Sequence, residues 1–144
     1  MAYQQPTERD DYPHRTALPT RWMDNDIYGH VNNVQYYSYF DTAINEYLIT
    51  VGGLDIHGGE TIGVCAESRC TYLAAIAFPA VVEAHLRVDH LGRSSVRYEI
   101  ALFDADSAEP SATGSFVQVF VERASGRPVP IPLRIRRALE RIRA

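Results

Sequence analysis

The segment Met23-Asp24-Asn25-Asp26-Ile27-Tyr28-Gly29-His30-Val31-Asn32-Asn33 gathers hydrogen-bonding side chains just ahead of a long aromatic-rich stretch. Asp24, Asp26, Tyr28, His30, Asn32 and Asn33 all fall within ten residues. If a helix starts at Asn33, its first turn offers free backbone N–H groups and a partial positive charge. Such a terminus can polarise a carbonyl or hold a developing oxyanion. A carboxylate a few residues upstream can then act as nucleophile or general base. The same composition also suits an ordinary turn, with Asn32 as the helix cap.

Other chemistries find less support. All 14 basic residues are arginine, so neither a lysine Schiff base nor a phosphate-loop lysine is available. No Gly-x-Ser-x-Gly elbow occurs, and no His-Glu-x-x-His or His-x-x-Glu-His metal pair. Cys65 and Cys70 match neither a zinc spacing nor a redox pair. On one strand, five positions apart, they point to opposite faces and cannot bridge. The N-terminus carries no apolar signal core, and no stretch approaches the ~18 apolar residues of a membrane helix. The expected setting is the reducing cytoplasm.

The elements that position the polar segment follow from periodicity. Residues 33–51 read as a helix, with Tyr37, Phe40, Ile44, Tyr47, Leu48 and Val51 along one face. Gln35, Ser38, Thr42, Asn45 and Glu46 make a narrower polar stripe, so most of this helix is buried. Asn32 caps it and Gly52-Gly53 stops it. A short extended segment at 14–22 precedes it. Alternation then predicts strands at 62–72, 81–88, 95–103 and 115–121, separated by short turns as in antiparallel hairpins. Ile131, Ile135, Leu139 and Ile142 return to helical spacing in a tail helix over 130–143.

With 144 residues, 46% of them apolar, the chain makes one domain. Residues 1–12 read as a disordered lead-in, 13–126 as the domain and 127–144 as a basic helical tail. The net charge is −4, which argues against a nucleic-acid binder. Residues 123–144 hold seven arginines and only Glu140 as an acid, which leaves the rest of the chain strongly acidic. One long apolar helix and five antiparallel strands are packed most simply by wrapping the sheet around the helix. Free sheet edges then favour a homodimer, or a dimer of dimers.

The string Asp26-Ile27-Tyr28-Gly29-His30-Val31-Asn32-Asn33, followed by the aromatic-rich helix, resembles the active-site signature of the 4-hydroxybenzoyl-CoA thioesterase family. The resemblance covers roughly residues 14–125. It implies the α+β hotdog fold, in which a five-stranded sheet wraps a central helix, and hydrolysis of an acyl-CoA thioester without a cofactor or metal. It further implies that Asp26 attacks the thioester carbonyl or directs a water to it. The backbone N–H at Asn33 matches the donor to the thioester oxygen. His30 and Asn32 resemble the His-Val-Asn-Asn form of long-chain acyl thioesterases, the acyl-ACP group included. Tyr28 stands where the plant acyl-ACP enzymes have Asn, so their Asp-Asn-His arrangement is incomplete. His30 is thus a catalytic residue, a loop-holding residue or a pocket residue, with Tyr28 and Asn32 beside the substrate. Asp24 is read as a loop-shaping partner and Asp41 as a buried acceptor or interface group. The segment Leu91-Gly92-Arg93-Ser94-Ser95 resembles the family's CoA contact region, where Arg93 can grip phosphate and Ser94 and Ser95 can donate. An acyl-ACP substrate and a non-catalytic acyl-CoA binder are the alternatives.

Overall fold

The computed structural model describes residues 3–144. Helix α1 (Asn33–Thr50) begins after Asn32, whose backbone is extended and whose side chain accepts the Val34 N–H at 3.0 Å. The helix is enclosed by five strands: β1 (His14–Pro19), β2 (Thr61–Tyr72), β3 (Val81–Leu91), β4 (Ser95–Asp104) and β5 (Pro110–Glu122). They form one antiparallel sheet in the order β1-β3-β4-β5-β2. A second helix, α2 (Leu133–Arg141), follows. This is the expected hotdog layout.

Tyr36, Tyr39, Phe40, Ala43, Ile44, Tyr47 and Leu48 are the buried residues of α1, while Tyr37 and Val51 are half-buried. They meet the inner face of the sheet, including Leu86, Tyr98, Ile100, Leu102 and Phe116. Each large side chain buried there contributes about 1.5–3 kcal/mol of transfer free energy. The helix lies so close to β5 that a Cβ on Gly114 would collide with the Phe40 ring. Ile131, Ile135, Ala138, Leu139 and Ile142 join the same core, so the basic tail packs onto the domain.

Three expectations are revised. Cys65 and Cys70 lie opposite Gln118 and Gly114, which both share the inner face with Val96 and Ile100. A β-bulge between Cys65 and Glu67 inserts one residue and reverses the alternation, so the two cysteines face the same side. Both are free thiols. Asp41 is exposed, which overturns the buried-acceptor half of its reading, and it accepts a hydrogen bond from Asn45 Nδ2 at 3.1 Å. The lead-in expected at 1–12 is laid along the outer face of the sheet over residues 3–12; residues 1 and 2 lie outside the described residues. There Tyr12 is buried against Ala101 and Phe103, and Arg9 stacks on the Phe103 ring at 4.2 Å. Gln5 donates to the Ile100 carbonyl at 2.9 Å, and Tyr3 donates to Glu99 at 2.7 Å.

Candidate active site

Between β1 and α1 the chain turns through a loop that closes on itself. The Asp26 N–H donates to the His30 carbonyl and the Gly29 N–H to the Asp26 carbonyl, both at 3.0 Å. Gly29 has a φ of 86°, a conformation that any side chain would strain. One Asp26 oxygen accepts the Tyr28 N–H at 2.9 Å; the other accepts Asn32 Nδ2 at 3.1 Å. Asn32 therefore uses both ends of its amide: Oδ1 caps α1 and Nδ2 fixes Asp26. The expected pair of carboxylate and helix terminus is thus joined through one side chain. The first turn of α1 contains no acidic residue, so its partial positive charge is not neutralised from within. Among the described residues, the Asn33 N–H has no hydrogen-bond acceptor.

Asp24 is the buried counterpart of Asp26, only 1% exposed. Its carboxylate accepts the Arg21 N–H and Nε at 2.9 Å each, and the Tyr39 hydroxyl at 2.8 Å. Burial pushes this carboxyl up, but the Arg21 backbone and guanidinium and the Tyr39 hydroxyl outweigh it. The carboxyl is therefore held below the ordinary carboxylate range. Its backbone carbonyl also takes the Asn32 N–H at 2.9 Å. Asp24 thus ties the turn before the loop to the second turn of α1, as its loop-shaping reading anticipates. Arg21 and Tyr39 were not anticipated, because no spacing in the sequence separates a Tyr that holds a carboxylate from one that fills a core. Asn25 adds a third tie, its Oδ1 accepting the Phe78 N–H at 3.1 Å.

A shallow cleft of about 320 Å³ opens beside this loop, lined by His30, Asn33, Tyr36, Tyr72 and residues 73–75. The Tyr72 hydroxyl donates to the Asn33 carbonyl at 3.0 Å, which ties the end of β2 to the start of α1. His30 is exposed, and its side chain borders the cleft together with Asn33. Ile27 and Tyr28 project from the loop, 96% and 84% exposed. Cys70 supplies no thiolate here, because burial pushes its thiol up to about 11. Among the described residues, no group of three or more His, Cys, Asp or Glu is arranged to hold a metal.

Arg93, Ser94 and Ser95 are not brought to this loop within one chain. Arg93 and Ser94 lie in the turn after β3 and Ser95 opens β4, whereas the loop adjoins the start of β3 through Thr20 N–H to the Ala80 carbonyl and Val31 N–H to the Ile76 carbonyl. The eleven residues of β3 put roughly 33 Å between the two ends. The Ser94 carbonyl accepts the Phe120 N–H at 2.8 Å, the Arg93 carbonyl accepts the Ile131 N–H at 2.9 Å, and the Arg93 side chain is exposed.

The thioesterase superfamily model matches residues 28–111, starting two positions after Asp26 and covering all of α1, strands β2 to β4 and the first two residues of β5. The PA5185 protein of Pseudomonas aeruginosa is 56% identical over 96% of this chain and 98% of its own, with a TM-score of 0.94. A thioesterase from Thermus thermophilus, solved in complex with coenzyme A and zinc, is 32% identical over 91% of this chain and 94% of its own, with a TM-score of 0.76. YsmA of Bacillus subtilis is 28% identical over 112 residues, which are 78% of this chain and 75% of that protein. The chain belongs to the thioesterase superfamily and is a thioester hydrolase of the hotdog fold.

Proposed function

We infer that the chain hydrolyses an acyl-CoA thioester to the free acid and CoA, with Asp26 as nucleophile or general base. The observation that carries this is the Asp26–Asn32 hydrogen bond at 3.1 Å, which sets a carboxylate beside the open N-terminus of α1. The thioester oxygen accepts from the Asn33 N–H as negative charge develops on it. In the nucleophilic route an Asp26 oxygen bonds to the acyl carbon, the C–S bond breaks and the thiolate takes a proton. Water then cleaves the resulting anhydride. In the general-base route Asp26 takes a proton from the attacking water, and the thiol leaves in the same sense. His30, Tyr28 and Asn32 border the acyl group. The Thermus thioesterase with bound coenzyme A supports CoA as the carrier.

The working unit in this reading is a homodimer. β2 lies at the sheet edge, pairs among the described residues with β5 alone, and is largely exposed along its twelve residues. A long unprotected edge favours pairing with a second copy. Antiparallel pairing of β2 with β2 reverses the partner's strands. The partner's β3–β4 turn, with its Arg93, Ser94 and Ser95, then comes to the end of the joint sheet that carries this chain's Asp26. That supplies the phosphate contacts one chain alone keeps remote. The setting is cytoplasmic, in keeping with two free cysteines.

The test is release of free thiol from a panel of acyl-CoA thioesters, run beside the matched acyl-carrier-protein thioesters. Turnover of the CoA series is expected. Tight acyl-CoA binding without thiol release would contradict it, and faster turnover of the carrier series would move the substrate to an acyl carrier protein. Analytical ultracentrifugation is expected to give a dimer; an active monomer would overturn the shared site.

A further inference from the structure

The seven arginines of residues 123–144 are not used by the site described above. Three of them lie together. Arg134, Arg137 and Arg141 are exposed at positions i, i+3 and i+7 of α2, within about 60° of one another around the helix. With Val51 and Ala138 they line a concavity of about 290 Å³. Among the described residues, none of the three has a carboxylate partner within 4.0 Å. Like charges at these spacings repel. The adjoining face of α2 is already committed to the core through Ile135 and Leu139, with Ala138 at the border between the two faces.

The cluster adjoins the C-terminus of α1, where a helix carries a partial negative charge of about half a unit. That is too little to balance three guanidinium groups. Two of the final carbonyls are moreover met by backbone donors: Tyr47 accepts from Val51 at 2.9 Å and Gly52 at 3.2 Å, and Leu48 accepts from Leu54 at 2.9 Å. Among the described residues, no hydrogen bond runs from the Arg134, Arg137 or Arg141 side chain to these carbonyls. The exposed Arg134 guanidinium lies over Gly53, which has a φ of 68° and no Cβ to meet it. The family model ends at residue 111, well before α2. The Ile131 N–H and Arg136 Nη2 both donate to the Arg93 carbonyl, at 2.9 and 3.3 Å, which sets α2 beside the β3–β4 turn.

We propose that Arg134, Arg137 and Arg141 form a binding site for the phosphate groups of a polyphosphate anion. Guanidinium forks match phosphate oxygens bidentately, and a concave group of three suits adjacent phosphates rather than a single one. Two sources share this chemistry: the nucleotide end of a CoA thioester, and a free nucleotide or polyphosphate. Only the first rests on the acyl-CoA reading.

The test begins with titration calorimetry of the full chain against inorganic pyrophosphate at low ionic strength. Pyrophosphate is expected to bind, more weakly as salt rises. Arg137→Gln and the double variant Arg134→Gln/Arg141→Gln are each expected to weaken it tenfold or more, about what a charge-assisted hydrogen bond is worth. Arg123→Gln is the control, since Arg123 donates to the Gly59 and Ile56 carbonyls away from the concavity. Circular dichroism checks that the variants fold. No binding by the wild type, or binding unchanged in the α2 variants, overturns the proposal. The two sources separate by kinetics. A KM for acyl-CoA raised about tenfold in Arg137→Gln, with the KM for the matching acyl-pantetheine thioester unchanged, assigns the site to the nucleotide end. Loss of pyrophosphate binding with both KM values unchanged assigns it to a free polyphosphate. A chain that turns over no thioester still gives the calorimetric answer, so the two readings fail separately.

Discussion

Replacing Asn32 with Asp keeps the acceptor that caps α1 and removes the donor that holds Asp26. Asn and Asp are equivalent as N-caps, and a negative charge at a helix N-terminus adds about 0.3–1 kcal/mol of stability. At the site the change puts two carboxylates where Asn32 Nδ2 and Asp26 now meet at 3.1 Å. At that distance the repulsion is about 1.3 kcal/mol at the dielectric of water and about 5 kcal/mol at an effective value of 20. Asp26 is half-exposed, so roughly 2–3 kcal/mol applies, and the carboxylate relieves it by turning away into solvent. The cost then falls on site geometry and not on the fold. The expected result for Asn32→Asp is a loss of about 30- to 150-fold in kcat/KM, measured by thiol release from a good acyl-CoA. Its thermal midpoint should stay within about 2 °C of wild type. Asn32→Ala loses cap and donor together, so it should lower the midpoint by about 2–4 °C as well. Full activity in Asn32→Asp would show that the Asp26–Asn32 contact does not serve the reaction. A midpoint as low as that of Asn32→Ala would refute the capping role.

Two further predictions concern the supports of the site and the pH response. Tyr39→Phe removes the hydroxyl that donates to buried Asp24 at 2.8 Å and is expected to cost about 1–3 kcal/mol, read as a lowered thermal midpoint; an unchanged midpoint would remove Asp24 as a tie between loop and helix. Burial pushes His14 and His85 below the ordinary histidine range, with Glu46 facing the first, and Glu83, Arg9 and Arg15 facing the second. The unfolded chain therefore takes up more protons than the folded one as pH falls below about 6.5, so stability is complete above that value and declines beneath it. Thermal midpoints from pH 8 to pH 5 should show the decline, and His85→Gln should flatten it; an equally steep slope in that variant would contradict the assignment.

Helix α1 was legible because its apolar spacing, its cap at Asn32 and its stop at Gly52-Gly53 all agree, and the structure ends it one residue early, at Thr50. The strands were legible by alternation except where alternation breaks. The bulge after Cys65 reverses the face of everything beyond it, and no residue type in that stretch announces an inserted residue. The start of β5 was missed because Pro110, Ser111, Ala112, Thr113 and Gly114 carry little apolar signal, although the chain there packs against Phe40. The polar lead-in concealed order for a different reason. Tyr3, Gln5 and Arg9 are fixed by partners about 74 to 96 positions away. The loop around Asp26 was readable because its contacts are local, within six residues. The separation of Arg93 from Asp26 was not, because it depends on the length and direction of β3.

The central claim is that Asp26 does the chemistry at the terminus of α1, and Asp26→Asn tests it most directly. The substitution keeps the size of the side chain and the acceptor for the Tyr28 N–H, but removes the nucleophile or base. Thiol release from an acyl-CoA that the wild type hydrolyses is expected to fall by at least about 100-fold, with the thermal midpoint little changed. Asp26→Asn turning over acyl-CoA at the wild-type rate would contradict the account.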